Sequence, residues 1–307
     1  MTKPKVLIIA GPTASGKSRL AIDSARAFNG VVINCDALQI YKDIPIIAAT
    51  PNAAEKQMAE HRLFEIYEVE KRGNVVEWLN LCVAEIKRCW QEEKLPIVVG
   101  GTGMYIDALI NGVTPIPEIP PQIRAKASSM TLGDLYEFVQ QNDRQTAERL
   151  HPNDKTRLTR AVEIMLFTKR KLSEWFAEPL VKKLPEADFK VVKIVPPIEI
   201  IEQRCRIRLD NMIAEGVMAE IGALVKRGVD ESLPAMKALG VPELSMTVKG
   251  KMPLTEALEL AKLHTRQYAK RQRTWLKNKL AADVEFSEPY EQQSEWLKSI
   301  SQRLYAA

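Results

Sequence analysis

The stretch Gly11-Pro12-Thr13-Ala14-Ser15-Gly16-Lys17-Ser18 constrains this chain more than any other. It fits G-x-x-x-x-G-K-[ST] in full, with the hydrophobic run Val6–Ala10 before it and the helix-like Arg19-Leu20-Ala21-Ile22-Asp23 after it. Glycines let the backbone wrap a phosphate chain, so that successive N–H groups point inward at a helix N-terminus. Lys17 is placed to reach the outer phosphate oxygens, and the Ser18 hydroxyl to ligate Mg²⁺. The loop binds a phosphate chain, that of ATP or of another phosphate compound, without saying which.

A strand that feeds such a loop belongs to an open α/β sheet, and the rest of the chain supplies more strands of the same kind. Val31–Cys35, Pro96–Val99, Phe189–Val195 and, more weakly, Val284–Phe286 are short, nearly continuous apolar runs between longer helical patterns. Strands buried on both faces read this way. The expected fold is therefore α/β: a P-loop NTPase-like parallel sheet with helices on both faces. The alternation stops after Gly112, where Pro115-Ile116-Pro117-Glu118-Ile119-Pro120-Pro121 can continue neither a helix nor a central strand. From Ile123 to about Phe176 the patterns are helical only. Leu158, Ala161, Val162, Met165, Leu166 and Leu172 form one apolar stripe behind a cap at Asp154. The expected organisation is a catalytic core, residues 1–113 and 189–307, interrupted by an all-helical insert, residues 114–188. Helices over about 198–227 and 254–281 complete the core.

Composition excludes several classes. Of the 307 residues, 46% are apolar and 27% charged, as in folded globular chains rather than disordered or fibrous ones. No apolar run approaches the roughly 18 residues of a membrane span. Met1-Thr2-Lys3-Pro4-Lys5 leads into too few apolar residues for a signal peptide, so a cytoplasmic protein is expected. Cys35, Cys82, Cys89 and Cys205 form no C-x-x-C pair and the three histidines are scattered, which argues for reduced, partly buried thiols and against a zinc site.

In an open α/β sheet, ligands sit outside the carboxyl ends of the strands. The first strand ends at the phosphate loop, the second at Cys35-Asp36-Ala37-Leu38-Gln39 and the third at Gly100-Gly101-Thr102-Gly103. These segments should share one cleft. Asp36 is the only carboxylate at these ends: a general base, a partner to bound Mg²⁺, or a cap for the next segment. Thr102 can donate to a leaving-group oxygen or hold its turn.

Net charge is only +5, from 44 Lys and Arg against 39 Asp and Glu, so distribution matters more than sum. Between Leu260 and Ala282 there are basic residues and no acid. Arg266, Lys270, Arg273 and Lys277 fall at helical spacing on one face, with Tyr268 and Trp275 on another. Arg157 and Arg160 share a face of the insert helix that follows His151-Pro152-Asn153-Asp154. Each run alone reads as a solvated face; two of them beside a phosphate cleft point to nucleic acid.

With these residues in view, the chain resembles the bacterial tRNA dimethylallyltransferase family (tRNA Δ2-isopentenylpyrophosphate transferases). The matching pieces run in order: Gly11–Ser18, Asp36–Tyr41, His61-Arg62-Leu63, Val99–Tyr105, His151–Asp154 with Arg157 and Arg160, Arg204 and Arg208 ahead of Met212, Ala238-Leu239-Gly240, and Thr265–Trp275. The resemblance implies transfer of a dimethylallyl group from dimethylallyl pyrophosphate to the N6 amine of an adenine next to the anticodon, at tRNA position 37, with Mg²⁺ as cofactor. It implies that Thr13 to Ser18 hold the pyrophosphate with Ser18 on Mg²⁺. Lys17 and Arg208 are directed at the same group. Asp36 becomes the base on the adenine amine, and Thr102 touches the bridging oxygen of the leaving group. The tRNA contacts it implies fall on Asp36, Ala37, Leu38, Gln39, Thr102, Arg124, Thr156, Arg157, Arg160, Lys237 and Gly240. Arg266, Lys270 and Arg273 join them from the basic helix, in a monomer that grips the anticodon stem-loop.

The chain departs from the family pattern at Pro45-Ile46-Ile47-Ala48-Ala49-Thr50-Pro51, where members read Asp-Ile-Gly-Thr-Ala-Lys-Pro. A hydroxyl and a cation are lost at Ala48 and Thr50. Val241-Pro242 replaces a usual Tyr-Arg, and Lys277 an arginine. Two other readings use the same loop. A small-molecule or nucleotide kinase leaves the basic helices unexplained. A nucleic-acid-binding ATPase expects a catalytic acid where this chain has Gly100-Gly101-Thr102.

Overall fold

A computed structural model describes residues 3–305, so Met1 and Thr2, the start of the stretch read as lacking a leader, lie outside the described residues. The chain forms two compact units: one runs to Ile110 and resumes at Lys183, and the other is Asn111–Lys182.

In the first unit, β1 (Lys5–Ala10) leads through the glycine-rich loop into α1 (Lys17–Ala27), and β2 (Gly30–Asn34) follows. Two short helices, α2 (Pro45–Ala48) and α3 (Ala53–Met58), precede β3 (His61–Arg62). Then come α4 (Val75–Gln91), β4 (Leu95–Gly100) and α5 (Gly103–Asn111). After the second unit the chain returns as β5 (Asp188–Ile194) and ends its sheet contribution at β6 (Val284–Phe286). Among the described residues these make one six-stranded sheet in the order β3-β2-β4-β1-β5-β6, with every pairing parallel.

Alternation along each strand buries both faces. Leu7, Ile9, Val32, Ile97, Val99, Val192 and Ile194 share a core with Leu20, Ala21 and Ala25 of α1. Ile8, Ile33 and Val98, one residue out of phase, are buried as well. Helix α4 lies against β2 and β4. The Asn74 side chain caps its first turn through Glu77 N–H, and it buries Trp78, Leu79, Cys82, Ile86 and Cys89. No helix among the described residues is long and apolar enough to cross a membrane. All four cysteines are free and buried, as the spacing implied.

The second unit is all-helical: α6 (Pro121–Ser128), α7 (Leu132–Asn142), α8 (Arg144–Arg149), α9 (Lys155–Thr168) and α10 (Leu172–Ala177). The stripe Leu158, Ala161, Val162, Met165 and Leu172 enters its core beside Leu135 and Val139, and Leu166 packs at its edge. Asp154 caps α9 by accepting from Arg157 N–H at 3.1 Å. Val113 and Val181 pair in an antiparallel bridge that joins the two ends of the unit.

The return to the core has more helices than the two expected. The helix expected over about 198–227 is two helices, α11 (Ile198–Ala214) and α12 (Val217–Arg227), because Gly216 takes a left-handed φ of 95° between them. Beyond α12 come α13 (Val241–Val248), α14 (Leu254–Lys279) and α15 (Ser294–Tyr305), whose Trp296, Ile300 and Leu304 cover the α1 side of the sheet.

Candidate active-site cleft

β2, β4 and β1 are neighbours in the sheet, so their carboxyl ends lie side by side and the three segments chosen from the sequence meet. The phosphate loop and the segment Asp36 to Gln39 line a cleft of about 820 Å³ within the first unit, and Thr102 of the third segment is bonded to Ala37 N–H behind them. Residues Thr13 to Ser18 form its floor. The loop turns through left-handed conformations at Ala14 (φ 60°) and Gly16 (φ 86°), which curl it around the start of α1. Gly16 has no substitute here, since a Cβ would lie 2.6 Å from the Tyr290 carbonyl oxygen as well as straining φ.

Three side chains brace the loop from elsewhere, and Lys17 braces it from within. Gln272 of α14 is 7% exposed; its Oε1 accepts from Thr13 N–H at 3.0 Å and its Nε2 donates to the Gly101 carbonyl at 2.9 Å. One amide thus ties the first strand end to the third. Arg204 donates to the Ala14 carbonyl at 2.9 Å, and Arg208 to Thr13 Oγ1 at 3.1 Å. The Lys17 ammonium donates to the Pro12 carbonyl at 3.2 Å. Burial pushes its pKa down to about 8, with Arg208 adding to the drop and the Asp36 charge opposing it. Burial lowers Arg208 as well. Cations held in an apolar setting around a phosphate-type loop are short of negative charge, and a bound polyanion supplies it.

Asp36 is presented rigidly. Asn34 accepts from Asp36 N–H at 2.8 Å and donates to the Asp36 carbonyl at 3.1 Å and the Leu63 carbonyl at 3.0 Å. The Asn34 carbonyl in turn accepts from the Trp78 indole at 2.9 Å. Asp36 Oδ1 accepts from Leu38 N–H at 3.0 Å, a local turn that aims the carboxylate into the cleft it lines. Thr102 Oγ1 accepts from Ala37 N–H at 3.2 Å, which links the second and third strand ends and leaves the hydroxyl proton to be donated elsewhere. Tyr268 lines the same space. Its phenol is pushed up to about 12 by burial and the Asp36 charge, against hydrogen bonds with Thr102 and Gln272.

The far wall is made by the segment that departs from the family pattern. Pro45 to Pro51 line the cleft with Ile207, Met212 and Leu239. Gln39 Nε2 holds this wall from inside by donating to the Ala48 and Ala49 carbonyls at 3.1 and 2.7 Å. Where the family pattern has its cation, the Thr50 hydroxyl is buried with no partner.

The remaining candidates are spread over both units. Arg124, Thr156, Arg157 and Arg160 belong to the helical unit. Arg124 donates to the Ile119 carbonyl at 3.0 Å, while Arg157 and Arg160 make exposed ion pairs with Asp154 and Glu163. Lys237 closes a short 3₁₀ turn before Gly240 (φ 92°). The basic stripe of α14 is less free than its spacing implied. Arg266 pairs at 2.8 Å with Glu202 of α11, which packs along α14, and Arg273 donates at 2.8 Å to the carbonyl of Pro196 in the link between β5 and α11. Lys270 and Lys277 remain exposed. Trp275 lies against Gly103 at the head of α5. Sequence reasoning passed over Gln272, Tyr268 and Asn34 as site residues; the first two lie in the motif Thr265–Trp275 that it had marked.

A family model described as IPP transferase matches residues 39–279, more than half of the chain. The chain belongs to the IPP transferase family. A tRNA dimethylallyltransferase of Zymomonas mobilis is 42% identical over 276 residues, covering 90% of this chain and 88% of its own. One from Rhodospirillum rubrum is 39% identical over 287 residues, covering 92% and 88%. Among solved structures, the tRNA delta(2)-isopentenylpyrophosphate transferase of Staphylococcus epidermidis superposes with a TM-score of 0.72 at 30% identity, over 99% of each chain. A eukaryotic dimethylallyltransferase described as acting on tRNA gives 0.83 at 30% identity, over 99% of this chain and 78% of that one. The family's matched stretch starts after Asp36, so the phosphate loop and Asp36 stand as features of the cleft in their own right.

Proposed function

We propose that this IPP transferase moves a dimethylallyl group from dimethylallyl pyrophosphate to the N6 amine of the adenine at position 37, beside the anticodon of tRNA, and releases pyrophosphate. Dimethylallyl transfer to tRNA follows from the family and its curated relatives. What supports the residue-level reading is the joint presence, in one cleft, of Asp36 and a braced phosphate loop with Lys17 and Arg208, with Thr102 bonded to Ala37 N–H next to Asp36.

The C1–O bond of the allylic diphosphate breaks with its electron pair leaving on oxygen, and the bond from C1 to N6 forms as N6 loses a proton. Allylic cleavage builds positive charge on carbon and negative charge on the departing pyrophosphate, so stabilising that anion is the main electrostatic task. Residues Gly11 to Ser18 cradle it, Lys17 and Arg208 face it, and the Thr102 hydroxyl, already accepting from Ala37, donates to the bridging oxygen. Asp36 accepts the N6 proton. Ser18 offers a hard oxygen donor at the head of α1, and no group of three His, Cys, Asp or Glu among the described residues could cage a metal by itself. Ser18 would hold Mg²⁺, which would supply further positive charge to the leaving group.

An adenine inside a stacked loop cannot reach such a cleft and must be splayed out. We assign the grip on the anticodon stem-loop to Arg124, Thr156, Arg157 and Arg160 of the helical unit. Asp36 to Gln39, Lys237, Gly240 and the basic residues Arg266, Lys270 and Arg273 of α14 act in the core, in a cytoplasmic monomer. The test is incubation with Mg²⁺, dimethylallyl pyrophosphate labelled in the prenyl group, and either unmodified tRNA or free AMP. Label entering tRNA alone supports the reading; label entering AMP, or ATP consumption without prenyl transfer, overturns it.

A further inference from the structure

Helix α12 contributes no residue to the lining of the cleft, yet it grips the wall from behind. The short helix α2 opens with Pro45 and has no side-chain cap of its own at Ile44, so its first N–H groups need an acceptor from elsewhere. Glu220 provides it: Oε2 accepts from Ile46 N–H at 2.8 Å and Oε1 from Ile47 N–H at 3.0 Å, one oxygen to each amide. Two turns along α12, Arg227 pairs with Asp43 and with Glu70, each at 2.6 Å. Asp43 Oδ2 also accepts from Val69 N–H at 2.8 Å. On the cleft side Gln39 holds the Ala48 and Ala49 carbonyls, so the segment is fixed from both sides. Ile47 is 8% exposed and abuts Gly240, where an added Cβ would come within 2.8 Å of its side chain.

This wall carries neither the hydroxyl nor the cation of the family pattern, and its side chains Pro45, Ile46, Ile47 and Ala48 are apolar. Its contribution to binding is therefore one of shape, and shape depends on where the backbone of α2 is held.

We propose that Glu220 is a positioning residue for the isoprenoid side of the cleft: its carboxylate fixes α2, and through α2 the apolar surface against which the prenyl chain of the diphosphate substrate lies. The inference rests on the prenyl-transfer reading. It goes beyond that reading by giving a role to a residue that touches neither substrate nor the reacting atoms.

Glu220→Gln tests it directly. The amide has one acceptor oxygen and turns an NH₂ toward the second backbone N–H, so one of the two bonds is lost and a donor faces a donor. Glu220→Ala loses both. Loss of a wall contact made equally in ground and transition states raises KM and leaves kcat alone. The KM for dimethylallyl pyrophosphate is expected to rise about tenfold in Glu220→Gln, and further in Glu220→Ala, with kcat and the KM for tRNA within about twofold of the wild type. Hydrogen exchange at the Ile46 and Ile47 amides should quicken about tenfold in the Gln variant, a readout independent of turnover. An unchanged KM and unchanged exchange in a protein whose wild type transfers label overturns the proposal. So does a matched fall in kcat and loss of tRNA binding, which marks general damage. Wild-type protein that transfers no label to tRNA removes the prenyl reading, and this inference with it.

Discussion

Gln272 couples the phosphate loop to the third strand end through one side-chain amide, and replacing it with leucine isolates that coupling. The substitution keeps an apolar body in a site that is 7% exposed but removes both the acceptor for Thr13 N–H and the donor to the Gly101 carbonyl. Each buried backbone group left unpaired costs about 1–3 kcal/mol. One orphaned N–H and one orphaned carbonyl set the loss at roughly 2–4 kcal/mol, since a carbonyl tolerates partial pairing better than an amide. For a chain of this size that is a fall in Tm of about 5–10 °C. Activity should suffer separately, because Thr13 also receives Arg208 and a displaced Thr13 loosens the cation facing the diphosphate. A drop of about 10–100-fold in kcat/KM for dimethylallyl pyrophosphate is expected, as for small misplacements of catalytic groups. Differential scanning calorimetry and steady-state kinetics on the same preparation measure the two effects. A Tm within 2 °C of the wild type together with kcat/KM within about twofold would refute the reasoning.

Three other outcomes follow from the cleft. Asp36→Asn should lower kcat by about 10²–10⁴ while tRNA affinity stays within a few-fold, because a base acts in the transition state; equal losses of rate and affinity in filter binding and single-turnover assays would reassign Asp36 to recognition. Since burial brings the Lys17 pKa down to about 8, its charge is complete below that pH and is lost as pH rises through it. Thus kcat/KM for the diphosphate should fall above about pH 8, while kcat, measured with the diphosphate bound beside the ammonium, holds to higher pH; a kcat/KM profile flat past that point contradicts this. The double substitution Arg157→Ala and Arg160→Ala should weaken tRNA binding and reduce the slope of log K against log salt by about one to two, read from titrations at several salt concentrations; an unchanged slope returns both side chains to a solvated face.

Much of the sheet was legible because β1, β2, β4 and β5 are runs of β-branched residues that only a doubly covered sheet can bury. β3 was not. It is two residues long, and its Arg62 is buried only because Glu60, Glu85 and Glu92 surround the guanidinium, an arrangement that leaves no hydrophobic signal. The break between α11 and α12 had a signal, Gly216, that helical periodicity on either side masked. At the site, Lys17, Asp36 and Arg208 line one cleft and Thr102 bonds to Ala37 beside it, in keeping with their positions at strand ends and in motifs. The supports do not announce themselves. Gln272 reaches Thr13 across 259 positions of sequence, and Glu220 reaches Ile46 across 174. Charge spacing on α14 likewise could not show that Glu202 and the Pro196 carbonyl would engage Arg266 and Arg273.

The claim beneath all of this is that the diphosphate held by the phosphate loop leaves from carbon rather than being cleaved at phosphorus. Dimethylallyl pyrophosphate carrying a heavy oxygen isotope at the bridging position tests it in one single-turnover reaction with tRNA, with products resolved by mass spectrometry. The heavy oxygen is expected in the released pyrophosphate, with the prenyl group on tRNA. Heavy oxygen retained on a dimethylallyl alcohol or monophosphate would contradict the account.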